Sequence, residues 1–179
     1  RVLERRKMFL DKLCKTNPNL IQTAVHMHQQ KQIMPDTYVV DVDQFLENAK
    51  AILQKANEQN IELYYMLKQI GRNPYLAKEL EKLGYKGAVV VDFKEAEVMM
   101  ENHLHISHAG HLVQIPSMMI NQLIAYGCDY ITVYSYEKLV EVNEAAKKIG
   151  LVQKVCVRVI GENDRIYSGQ TAGFYLNQL

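Results

Sequence analysis

The sequence predicts an α/β fold in which parallel strands alternate with helices, forming part of a TIM-type (β/α)8 barrel. Three observations lead there. Apolar runs recur at 61–67, 87–91, within 105–115, at 130–134 and at 154–160. Stretches with helical character separate them, at about 74–83, 93–101, 117–126 and 135–149. The apolar runs are continuous rather than alternating, as strands are when protein covers both faces. The repeat of roughly 20–25 residues per βα unit suits a barrel better than an open dinucleotide-binding sheet.

Each element has a local reason. Residues 1–34 read as helical, with a broken stripe of Phe9, Leu10, Leu13, Leu20, Ile21, Val25 and Met27. Asn17-Pro18 restarts the helix and Pro35-Asp36 breaks it. Tyr38 to Val42 reads as a short strand. Asp43 is the expected N-cap of a helix through Asn57, whose apolar face is Phe45, Leu46, Ala49, Ile52, Leu53 and Ala56. Gly84 and Gly150 follow helices as C-terminal stops. The expected division is therefore a helical extension over 1–36 and a barrel segment over 37–179. About five strands follow residue 60, whereas a closed barrel needs eight, so the sequence reads as the N-terminal part of a barrel. Such a part has an open sheet edge, which calls for a partner.

Composition removes several function classes. The 179 residues are 48% hydrophobic and 23% charged, ordinary for a soluble globular chain. Twenty-one basic and 20 acidic residues leave a net charge of +1, which gives no electrostatic case for nucleic acid or an anionic membrane. No apolar run approaches the ~20 residues of a membrane span. Arg1 to Lys7 is basic but lacks the apolar core of a signal peptide. Three widely spaced cysteines, Cys14, Cys128 and Cys156, suggest reduced thiols and a cytoplasmic setting, the latter two packed in apolar runs. No GxGxxG follows a strand and there is no Walker A motif.

The most informative residue is Lys68. It ends the run Ile61 to Leu67, and Gly71 and Pro74 follow closely. A strand would carry it to its C-terminal tip, the end at which α/β folds bind ligands. A lysine partly desolvated there can act as a Schiff-base nucleophile; a surface lysine that ends a strand is the plainer reading. Four histidines crowd the next region: His103, His105, His108 and His111. A turn at Ala109-Gly110 breaks their register, so separate roles are expected rather than a metal site. His108 or His111 would lie near a strand's C-terminal end. The Gly-rich stretch Tyr167 to Gly173 is either a plain loop or an anion cradle. Met99, Met100, Met118 and Met119 read as core filler.

Several motifs, in order, carry a resemblance. Val40-Asp41-Val42-Asp43 leads into a helix containing Asn48; Tyr65-Met66-Leu67-Lys68 ends a strand; Phe93-Lys94-Glu95-Ala96 opens a later helix. Gly110-His111-Leu112-Val113-Gln114-Ile115-Pro116 and Arg158-Val159-Ile160-Gly161 follow. From about residue 37 to 175 the chain resembles the N-terminal half of the alanine racemase superfamily, the fold-type III pyridoxal-phosphate enzymes. It is most similar to the bacterial alanine racemase-like, or putative amino acid racemase, branch. The resemblance implies that pyridoxal 5'-phosphate is the cofactor and that Lys68 carries it as an imine. It implies Tyr65, Arg72, His111 and Arg158 as further cofactor-binding residues and Arg165 as a substrate-side arginine. It implies a cytoplasmic amino acid racemase-like isomerase, a small amino acid or amine substrate, and a homodimer in the full-length protein. The opposite-face base and the phosphate loops belong to parts of the family fold beyond this segment, which alone is expected to be incomplete as an enzyme. Two departures stand out. Arg72 occupies a position where alanine racemases have tyrosine, and Arg158 to Asn163 replaces their Lys-x-Asp-Thr-Gly-Met run. Two alternatives stay open: a non-catalytic cofactor-binding protein of pyridoxal-phosphate homeostasis, and a cofactor-free Schiff-base lyase on a barrel.

Overall fold

A computed structural model describes residues 2–161, 164 and 172–176, with side chains described from Phe9 onward. The chain divides into two compact units, 1–49 and 50–179.

In the first unit, α1 (Val2–Thr16) and α2 (Pro18–Gln29) meet at the Asn17-Pro18 restart. Asn17 Oδ1 accepts the Leu20 N–H at 3.1 Å, capping α2, and its Nδ2 donates to Asp41 at 2.7 Å. Asp41 in turn accepts the Gln44 N–H at 3.0 Å. These bonds, the Gln44 amide first and Asn17 second, hold the Asp41 carboxyl below its usual range. The cap of α3 (Val42–Glu58) is thus Asp41, not the expected Asp43. The expected strand at 38–42 is also absent: 37–41 is irregular and leads straight into that cap. Among the described residues no segment pairs with it, and a strand needs a partner to satisfy its backbone groups. Along α3 the buried stripe is Ala49, Leu53 and Ala56, while Ile52, at the edge of that face, is exposed.

The second unit is a parallel sheet. It contains β1 (Ala88–Val90), β2 (Ile106–Ala109), β3 (Tyr130–Val133) and β4 (Lys154–Val157), in that order. The crossovers are α5 (Phe93–Glu101), α6 (Ser117–Tyr126) and α7 (Tyr136–Lys148). Preceding β1, α4 (Pro74–Leu83) has Asn73 as its cap and Gly84 as its left-handed stop. The run 61–67, expected as a full strand, is extended but pairs with β1 at a single bridge, Tyr65 to Ala88. Its ladder is three bonds: Lys86 N to Leu63 O, Tyr65 N to Gly87 O and Val89 N to Tyr65 O, at 2.8–3.1 Å. Pairing ends there because Leu67, at φ −103° and ψ 7°, has left the extended region. The run 154–160 is also not one strand. It breaks at Arg158, and β5 (Val159–Ile160) pairs instead with β6 (Phe174–Tyr175) in a second small sheet.

The helices cover one face of the main sheet. Leu67, Leu76, Val90, Met99, Ile106, Ile120, Leu123, Ile131 and Val142 are at most 2% exposed. Met99, Met100 and Met119 join this core, but Met118 is exposed, the helical period turning it to solvent. Cys128 is buried, and burial pushes its thiol pKa up to about 12. Cys156 is only half-buried, as are its neighbours Val155 and Val157, because β4 is the edge strand of the main sheet. Native protein treated with iodoacetamide at about pH 8 is therefore expected to alkylate at the exposed Cys14 long before Cys128, whose thiolate is scarce. Peptide mass spectrometry reads this; equal rates at the two would contradict the packing. Among the described residues no helix is long and apolar enough to cross a membrane.

Candidate active site

The site grows from the C-terminal edge of the sheet. After Leu67 the chain tightens into a 3-10 turn, Lys68–Ile70, then passes through two left-handed residues, Gly71 (φ 71°) and Arg72 (φ 57°). The Leu67 carbonyl accepts both the Ile70 and the Arg72 N–H at 3.0 Å, which closes the turn. Lys68 is the first residue of this turn and its side chain is exposed rather than partly desolvated as expected, because the turn lifts it off the sheet. Among the described residues no hydrogen bond or ion pair engages its ammonium group.

Two carboxylates tie this turn to the end of β1. Glu95, 1% exposed, accepts the Leu67 N–H at 3.2 Å with one oxygen and the Val91 N–H at 2.7 Å with the other. Asp92 caps α5 by accepting the Glu95 N–H at 2.9 Å, and its second oxygen accepts from Arg72 Nη2 at 2.9 Å. Arg72 is thus brought next to the lysine's turn, though its Nε is buried without a partner among the described residues.

A second cluster lies at the ends of β2 and β3. His111 follows Gly110 (φ 84°) and is exposed, its ring edge-on to His108 with centroids 5.6 Å apart. The Tyr134 hydroxyl donates to the Gly110 and His111 carbonyls at 2.7 and 2.8 Å, fixing that loop against β3. Arg158 lies over the Tyr134 ring at 5.2 Å. His108 hydrogen-bonds Thr132 through Nε2. The same face carries a cavity of about 310 Å³ lined by Tyr64, Val89, Ser107, His108, Tyr130 and Cys156. Tyr65 is placed differently. It is buried, and its hydroxyl donates to Glu81 of α4 at 2.7 Å; burial and then Glu81 push its pKa well up. Arg165 and Tyr167 to Thr171 lie outside the described residues.

Burial pushes the His108 pKa down, and the nearby His111 adds to this. The unfolded chain therefore takes up this proton first as pH falls below about 6.5. Stability that His108 contributes is complete above that value and is lost as pH falls from it toward the lower folded-state pKa. The urea midpoint is expected to drop over this window in the parent and to drop less in His108→Gln; identical pH profiles would contradict it.

The carboxylate clamp and the Tyr134 latch were not singled out in the sequence. The spacing Asp92-x-x-Glu95 ahead of an apolar helix was the available signal for the first, since it is a capping-box pattern. Tyr134 had no such signal. Among the described residues no group of three His, Cys, Asp or Glu side chains is arranged to hold a metal ion.

A family model described as alanine racemase, N-terminal domain, matches residues 40–166. The uncharacterized protein YhfX of Escherichia coli K12 is 47% identical over 172 residues, covering 96% of this chain and 44% of that protein. The chain therefore spans less than half the length of that curated relative. Among solved structures, diaminopimelate decarboxylase from M. jannaschii, in complex with L-lysine, is similar at a TM-score of 0.61 and 18% identity, over 85% of this chain and 38% of that one. D-threonine aldolase from Filomicrobium marinum is similar at 0.60 and 20% identity, over 76% and 36%. At these identities the likeness is one of fold, and the sheet with its helices is part of a TIM-type barrel.

Proposed function

Because the chain belongs to the alanine racemase N-terminal domain family, we propose that it forms the lysine-bearing part of a pyridoxal 5'-phosphate-dependent racemase acting on an amino acid or another small amine. The observation that carries this reading is the placement of Lys68, an amine with no partner among the described residues, on a stapled turn at the C-terminal edge of a parallel sheet. That is the edge at which barrel enzymes do their chemistry.

The residues present fit the cofactor. An aldehyde needs an accessible amine, which Lys68 supplies. His111 follows β2 and Arg158 follows β4, the strands on either side of β3, one ring and one cation, each set against Tyr134. When bound, pyridoxal phosphate supplies an electron sink for charge that develops at the substrate Cα. Lys68 would then have two tasks: to hold the group through Nζ, and once released to take the Cα proton on its own face, or supply it there in the reverse direction, with the second base serving the opposite face. Arg72 acts through Asp92, keeping the turn in register, while Tyr65 anchors the strand from the helix side through Glu81. Arg165 is the candidate for the substrate carboxylate. The second base and the phosphate site would come from the rest of a longer protein, which the family leads us to expect as a homodimer.

The test is to add pyridoxal phosphate to the full-length protein, record the visible absorbance, reduce with borohydride and map the modified peptide by mass spectrometry. A visible band and a single pyridoxyl group on Lys68 are the expected result. No band, or a label spread over exposed lysines such as Lys78 and Lys94, would overturn the cofactor assignment. Cofactor uptake without Cα proton exchange in the full-length protein would instead favour a cofactor carrier.

A further inference from the structure

Glu95 is the charged member of the small set of buried polar side chains among the described residues. It occupies the third position of α5, after the cap Asp92. In an ordinary capping box a glutamate there reaches back to the N–H of the cap residue itself. This one reaches further, to the N–H of Val91 and across to the N–H of Leu67. Those donors lie at the C-terminal ends of two neighbouring parallel segments, where ladder pairing has stopped. Leu67 immediately precedes Lys68, and its carbonyl closes the turn that presents the lysine.

We propose that Glu95 is a positioning residue for Lys68: by accepting both amide protons it fixes the backbone break at Leu67 and so the direction in which the lysine leaves the sheet. Its consequence for cofactor attachment rests on the reading of Lys68 above; the hold on the turn rests on geometry alone. Charge-assisted hydrogen bonds to a buried carboxylate are stronger than neutral ones. A glutamine of the same size keeps one accepting oxygen and turns an N–H donor toward the second amide, so it cannot serve both.

The experiment is Glu95→Gln in the full chain, with two readouts. The first is amide hydrogen exchange without cofactor. Leu67 and Val91 should exchange about tenfold faster or more. Ile70 and Arg72, which Glu95 does not touch but which bond the Leu67 carbonyl, should follow, while Ile131 and Val133 of β3 stay protected. The second is the rate of pyridoxal phosphate uptake at Lys68, expected to fall about tenfold with β3 still protected. If Glu95→Gln does not fold, Glu95→Asp replaces it, the shorter side chain being expected to release the Leu67 amide. Unchanged exchange at Leu67 and Val91 overturns the proposal. So does faster exchange confined to those two amides, or unchanged uptake, because Glu95 would then be merely structural. If the parent takes up no cofactor, the function proposed above fails, and the exchange pattern still decides the hold of Glu95 on the turn.

Discussion

Lys68→Ala should fold as the parent does and lose the cofactor. The side chain is exposed, and among the described residues it has no hydrogen-bond or ion-pair partner. Its removal is expected to move stability by no more than about 0.5 kcal/mol, the range for surface substitutions. The chemistry is affected far more. Attachment of an aldehyde needs a primary amine that can shed its proton, and alanine offers none. The visible band should vanish, and exchange of the substrate Cα proton in the full-length protein should fall by about 10³-fold or more, the combined loss of a covalent anchor and a general base. Lys68→Arg should fail as well, since a guanidinium keeps the charge but stays protonated. The pair separates nucleophile from cation. A band that persists in Lys68→Ala would move the attachment to another lysine and leave the stapled turn without a function.

The sequence marked the features whose causes are local. Asn73-Pro74 and Gly84 bracket α4 because a cap and a left-handed stop are decided within a few residues. The bounds of α6, Ser117–Tyr126, were legible for the same reason. What failed depended on distant partners. The stretch 38–42 has strand chemistry, but no described segment pairs with it. The run 154–160 has continuous β character, yet Arg158 splits it: its N–H donates to Val133 of β3, while its carbonyl accepts from Phe174, which belongs to the smaller sheet. At the site, Lys68 was legible because the apolar run, Gly71 and Pro74 place it at a tip. The separation of Tyr65 from Lys68 was not legible: the resemblance groups both at the cofactor, whereas Tyr65 turns to Glu81 and the chain leaves the strand at Leu67 before it reaches the lysine. Glu95 was harder to find. Its capping position is local, but the N–H it reaches lies 28 residues upstream.

Gly87→Ala is expected to be the most damaging single-methyl change in the sheet. Gly87 has φ +150°, a conformation that L side chains rarely adopt. A Cβ there would come within 2.5 Å of Ser107 Oγ, 2.6 Å of His105 Cδ2 and 3.1 Å of the His105 carbonyl. The His105 carbonyl cannot yield easily, because it accepts the Ala88 N–H at 2.9 Å, and Ser107 is 1% exposed. The crowding has a topological cause. The β1–β2 register shifts between Ala88 and Val89, which inserts Ser107 as an extra residue in β2 and brings it against the glycine. Backbone strain of about 1–3 kcal/mol and overpacking of about 1–3 kcal/mol act together. The expected loss of about 3–5 kcal/mol is a large share of the roughly 5–15 kcal/mol that holds a domain folded. Gly87 also accepts the Tyr65 N–H, so the disturbance reaches the segment that carries Lys68. Urea unfolding measures the first effect and pyridoxal phosphate uptake the second, and both should fall together. A midpoint within experimental error of the parent would mean that β1 and β2 pair in a different register, without the bulge at Ser107.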